Sequence, residues 1–137
     1  MSDSLVKFDE RGLITVGHIH ATSVLDAMNV SQFGQEVIGY VKQHAGLHLL
    51  LDFSRVEYLS SAVLTELLRI SQACKEAGGS LRLCCLSNDI RKVFEITNLD
   101  RMFTIYSGST DEAVIKYARS LAVEAEEEAW EQVSRDV

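Results

Sequence analysis

Ser60 and Ser61 stand side by side in Leu59-Ser60-Ser61-Ala62-Val63, after an apolar run at 47–53 and at the start of a helical repeat. A serine at the N-cap of a helix accepts a hydrogen bond from a first-turn amide, and this accounts for one of the pair. The same position suits a phosphoryl group, because the first-turn amides and the positive end of the helix dipole favour an anion. Phosphorylation adds about −1.5 to −2 charges in one step, enough to disrupt an apolar or acidic protein interface. Ser60 placed there would act as an on/off switch set by another protein. The C-terminal edge of a central strand, where these serines fall, is where ligands and partners usually meet an open α/β sheet.

Other chemistries find less support. A serine hydrolase elbow needs glycines two residues either side of the nucleophile and a paired base, whereas both serines here have apolar flanks. His18 and His20 share a face of one strand, but zinc needs three or four convergent ligands and no acid or cysteine is spaced to complete that set. Cys74, Cys84 and Cys85 have no metal-type spacing and their number is odd. Adjacent strand residues point to opposite faces, so Cys84 and Cys85 are expected neither to bridge nor to share a metal. All three are read as fillers of a reduced core. The loops after Phe53 and Leu86 lack the glycines of a phosphate cradle, and the absence of proline excludes a cis-proline turn. No cofactor or metal is expected, and no catalysis.

The elements that must hold the serines follow from periodicity. Leu5–Phe8 and Leu13–Ile19 read as strands joined by a tight turn at Glu10-Arg11-Gly12. From about Asp26 the period changes, and Val30, Phe33, Val37 and Val41 form one helical stripe ending near Gly46. Leu47–Phe53 is apolar enough for a strand covered on both faces. Val63, Leu64, Leu67, Leu68, Ser71 and Cys74 trace a second helix, stopped by Gly78-Gly79. Leu81–Leu86 is a further buried strand, Ile90, Val93, Phe94 and Thr97 mark a short helix, and Phe103–Tyr106 a last strand. A final helix turns Ala113, Val114, Tyr117, Ala118, Leu121 and Ala125 to the core. The order β-β-α-β-α-β-α-β-α predicts one α/β domain with a mixed, mostly parallel sheet of about five strands, about four helices and an N-terminal hairpin.

At 137 residues, 47 % apolar and 24 % charged, the chain suits one soluble domain. No apolar stretch reaches the 18 or more residues of a membrane span, and Met-Ser-Asp-Ser does not open a signal peptide, so a cytoplasmic protein is expected. The net charge of −7 is concentrated at the end. Residues 124–137 carry six acids against Arg135, a net of −5 that leaves −2 for the remainder. The reading is a domain over 1–123 and an acidic helical extension or tail over 124–137. Without a basic stripe, nucleic acid and anionic membrane surfaces are poor partners.

The stretch from Leu51 to Leu68 resembles the STAS family, the sulfate-transporter and anti-sigma-factor-antagonist domain. Asp52-Phe53-Ser54 is similar to that family's strand end, and Leu59-Ser60-Ser61-Ala62 to its Asp-Ser-Ser/Thr-Gly/Ala helix start. Gly17-His-Ile-His-Ala-Thr22, the segment from Leu81 to Leu99, and Phe103-Thr-Ile-Tyr106 resemble further family segments in the same order. The resemblance implies a non-catalytic antagonist that binds an anti-sigma factor, itself a serine kinase, and is inactivated by phosphorylation until a phosphatase resets it. By position the phosphoacceptor would be Ser60, leaving Ser61 to cap the helix. Leu59 and His20 stand where the family keeps acids, with His20 as the phosphosite's neighbour.

The expected partner surface is the Ser60 helix and the loops beside it: Leu59, Ser61, Ala62, Thr65 and Glu66, with Arg55 and Glu57 before them. Ser87, Asn88 and Asp89 open the next helix at the same sheet edge, and Arg69 lies on a solvated face. The expected state is a monomer or weak homodimer. Two further readings stay open: a signalling scaffold without efficient phosphorylation, and a cytosolic accessory subunit of an ABC-type transporter. A genetic neighbourhood of sigma regulators or of transport genes would decide the transporter reading.

Overall fold

The N-terminal hairpin starts the sheet as expected, but its turn is Gly12-Leu13 rather than Glu10-Arg11-Gly12, because Glu10 and Arg11 continue the first strand. Strands β1 (Val6–Arg11) and β2 (Ile14–Ile19) pair antiparallel in a register that sets Arg11 opposite Ile14. The two-residue turn places Gly12 at φ 61°, the conformation a type II′ turn asks of its first central residue. The computed structural model describes residues 4–19, 24–25 and 29–136.

The remaining elements alternate. A two-residue strand β3 (Val24–Leu25) is followed by α1 (Val30–Gln43), β4 (His48–Asp52), β5 (Tyr58–Leu59) and α2 (Ser61–Glu76). Then come β6 (Ser80–Cys84), α3 (Asn88–Ile96), a 3-10 turn over Leu99–Arg101, β7 (Ile105–Tyr106) and α4 (Thr110–Asp136). The main sheet runs β1-β2-β4-β6-β7, with every pair after the hairpin parallel. Among the described residues this is the predicted five-stranded mixed sheet with four helices. Periodicity missed the separate parallel pair β3–β5, because two residues are too few to show a period. Part of the first helix's expected start falls at residues 26–28, outside the described residues.

Burial explains why β4 is so apolar. Leu49 and Leu51 point into a core beneath α1, α2 and α3, while Leu50 points into a second core beneath α4. All three are 0 % exposed, as a strand covered on both faces requires. Gly79 is needed because a Cβ there would strike the carbonyl of Leu47, where the chain entering β6 bonds the chain entering β4.

The last helix departs from its predicted inner face. Ala113 and Tyr117 are buried and Val114, Ala118 and Leu121 half-buried, but Ala125 is exposed, as is every described side chain from Ala122 to Arg135. Tyr117 anchors α4: its hydroxyl meets Ser80 Oγ at 2.5 Å and the Arg82 guanidinium lies 4.4 Å from its ring centre. Arg82 also binds Glu124 at 3.1 Å. Beyond that contact the helix runs on into solvent without a break at the expected 123/124 boundary.

Candidate functional site

Ser60 is the N-cap of α2, with extended backbone at φ −89° and ψ 166°. The helix is set by its buried stripe of Val63, Leu64, Leu67, Ile70 and Cys74, which lays it across the sheet and brings its first turn to the C-terminal end of β4. The Val63 amide, which a capping side chain would ordinarily take, donates instead to Ser60's own carbonyl at 3.0 Å. Ser60 Oγ is buried and, among the described residues, has no hydrogen-bond partner. The expected division of labour therefore changes at one point. The N-cap position belongs to Ser60, while Ser61 is the first helical residue and exposed.

The other expected surface residues divide among three depressions. Glu57, Tyr58, Leu59, Asp89, Ile90 and Val93 line a shallow groove of ~160 Å³ between β5 and α3. It joins the loop before Ser60 to the helix opened by Ser87, Asn88 and Asp89, all three exposed. Ser87 is a satisfied cap, accepting the Ile90 amide at 3.2 Å. Ala62 is half-buried and Thr65 exposed beside the serines. Glu66 faces the other way, across Gly34 of α1, where its carboxylate occupies the space a Cβ would need. It binds Arg69 at 3.3 Å, and the two line a cleft between α1 and α2. Arg55 turns to a third depression, with Lys7, His18, Asp52 and Ser54. Leu59 is 6 % exposed, so the residue at the position where the resemblance implies an acid is a core side chain. His20 lies outside the described residues.

A polar row on the opposite face of the sheet escaped the sequence reading. The register aligns Lys7, His18, Asp52 and Cys84 across β1, β2, β4 and β6. His18 Nδ1 lies 2.8 Å from Asp52 Oδ2, and the Ser54 amide donates to Asp52 Oδ1 at 2.9 Å. Burial alone would raise the Asp52 pKa, but the Ser54 amide and then His18 outweigh it and hold the carboxyl below its ordinary 3.8. Arg11 extends the row on the hairpin side, binding Asp9 at 2.9 Å and Asp111 at 2.6 Å. The signal for this cluster was Asp52 itself, a charged residue closing an otherwise apolar strand.

Cys84 is buried in the core as expected, but its thiol and that of Cys85 do not diverge as strand alternation predicts. Cys84 ends β6, and Cys85 lies beyond it in the left-handed region at φ 61°. That turn cancels the alternation of a strand. The two thiols and an Asp52 carboxylate oxygen all lie within 4.8 Å of one another. Burial first, then Cys85 and Asp52, pushes the Cys84 thiol well above its ordinary 9.0. Cys74, in the other core, is pushed up to about 11 by burial and is the filler expected.

A mixed sheet covered on both faces, with a serine-opened helix at the edge of its central strand, defines a small α/β module whose candidate site is a helix start. The chain belongs to the STAS domain family, whose model matches residues 9–112. It is 30% identical over 82 residues to BtrV of Bordetella bronchiseptica, provisionally named an anti-sigma factor antagonist, covering 60% of this chain and 70% of that one. An anti-sigma-factor antagonist (STAS) domain protein from Planctomyces limnophilus shares the fold at a TM-score of 0.74 and 22% identity, over 82% of this chain and 97% of that one. The Bacillus cell fate determinant SpoIIAA, in its phosphorylated form, does so at 0.63 and 19%, over 81% and 97%. Among the described residues no helix is long and apolar enough to cross a membrane.

Proposed function

We propose that this chain is a non-catalytic anti-sigma factor antagonist that binds an anti-sigma factor of the serine-kinase type and is switched off by phosphorylation at Ser60. The observation that carries this reading is the Ser60 hydroxyl, unbonded among the described residues at the N-cap of α2. Turning it outward to a kinase breaks no hydrogen bond among the described residues. The product phosphate then sits where first-turn amides and the helix dipole favour an anion. The groove between Leu59 and Ile90 gives an adjoining surface with apolar walls and acidic rims at Glu57 and Asp89. A dianion beside it would repel an acidic partner and disfavour an apolar one. The naming of BtrV supports the antagonist role, and a phosphatase would be needed to reset the switch.

The test is partner capture with wild type, Ser60→Ala and Ser60→Asp, followed by phosphosite mapping. The expected result is that Ser60→Asp alone loses a kinase-type partner. Equal capture by all three overturns the switch. A second reading, a STAS scaffold without efficient phosphorylation, is favoured by the burial of Leu59 at the position where the resemblance implies an acid. Intact mass after co-expression with the kinase separates the two, since a stoichiometric phosphate on Ser60 excludes the scaffold.

A further inference from the structure

We infer that Asp52, Cys84 and Cys85 form a binding site for a thiophilic divalent cation, zinc being the natural occupant. Two soft sulfur donors and one carboxylate are a zinc-type ligand set, and three protein ligands leave the fourth tetrahedral position to water or an outside ligand. Their donor atoms lie within 4.8 Å of one another. Zinc bound at about 2.3 Å from sulfur holds such donors roughly 3.8 Å apart. Closure therefore asks for movements of about 1 Å, within reach of side-chain rotation.

Three further features of the cluster suit a ligand set. Cys85 adopts φ 61°, a conformation non-glycine residues rarely take, and this brings its thiol round to the Cys84 side. Asp52 is oriented from outside the cluster, with His18 on Oδ2 and the Ser54 amide on Oδ1, and its two oxygens together still offer lone pairs to a cation. Thr110 Oγ1, 3.4 Å from Cys85 Sγ, can donate to that sulfur once it is a thiolate. These are outer-shell partners of the kind that orient ligands. Access is from the Cys85 side, because Cys85 is half-buried while Cys84 is fully buried. On binding, both thiol protons leave to solvent, and Asp52 enters as the carboxylate.

The experiment uses the full chain, stripped of metal and kept reduced with a non-thiol reductant. It is titrated with zinc against a chromogenic chelator, and separately with cobalt, whose absorption reports thiolate ligands. One equivalent of zinc and a thiolate-to-cobalt band are expected. Cys84→Ser, Cys85→Ser and Asp52→Asn each weaken zinc by more than the roughly 10–100-fold that losing an outer-shell partner costs, and His18→Gln weakens it within that range. Cys74→Ala, in the other core, leaves it unchanged. Cys85→Ser alters the most exposed ligand and keeps the test valid should Cys84→Ser fail to fold. Substoichiometric zinc, cobalt without a thiolate band, or wild-type affinity in Cys85→Ser overturns the site.

Discussion

Two helices begin at the same edge of the sheet with the same residue, and only one uses it as a cap. Ser60 and Ser87 are both N-caps with extended backbone, at ψ 166° and 162°. In α3 the Ser87 carbonyl takes the Arg91 amide four residues on, which leaves the Ile90 amide for the hydroxyl. In α2 the Ser60 carbonyl takes the amide only three residues on, and the hydroxyl is left over. The lengths explain why this is tolerated. Helix α2 has 16 residues and five buried side chains, whereas α3 has nine residues and two. A helix held by packing can leave its first serine unbonded, and a short one depends more on its cap.

The sharpest break would come from the packing that frees Ser60. Leu67 is 0 % exposed in the centre of the α2 stripe. Leu67→Ala is expected to cost about 2–5 kcal/mol in chemical denaturation. A loss near that of a surface substitution would mean that packing does not hold α2, and the contrast with α3 would lose its cause. Next in size is the cap that is used. Ser87→Ala removes the acceptor of the Ile90 amide and should cost about 1 kcal/mol, with the earliest loss of amide-exchange protection in the first turn of α3.

How far the sequence revealed this depends on how far each signal reaches along the chain. Periodicity over a dozen residues placed the helices, and the unbroken apolar run of β4 identified its two-sided burial. The serine pair was legible because an N-cap and a helix stripe are local patterns. Its bonding was not, since the choice between amides three and four residues on is made by how the first turn winds. The polar row of Lys7, His18, Asp52 and Cys84 was hidden because its members come from four strands and meet only through sheet register. The pairing of Cys84 with Cys85 turned on a single dihedral angle, and strand alternation gave the wrong expectation there.

Asp52 tests the loop between these regions, since its carboxylate holds the Ser54 amide on the way from β4 to Ser60. Its folded pKa lies below the ordinary 3.8. The unfolded chain therefore binds more protons between the folded value and 3.8, and stability rises with pH across that window. The contribution is complete above 3.8 and is lost as pH falls through the folded value. Asp52→Asn should flatten this acid limb, measured as unfolding midpoint against pH. An unchanged limb would show that the Ser54 and His18 bonds contribute nothing in solution.

The smallest expected effect decides the most. Ser60→Ala removes a buried hydroxyl that has no partner among the described residues, so no bond is lost and no partner is orphaned. The stability change should stay under about 0.5 kcal/mol, beneath the range of about 0.5–2 kcal/mol for losing a working cap. A near-zero result beside a clear loss in Ser87→Ala would establish that two serines of matching backbone do different work. A loss near 1 kcal/mol would instead make Ser60 an ordinary cap. Its hydroxyl would then have to break a bond before meeting a kinase, and the proposed switch would carry an energetic barrier that the unbonded geometry lacks.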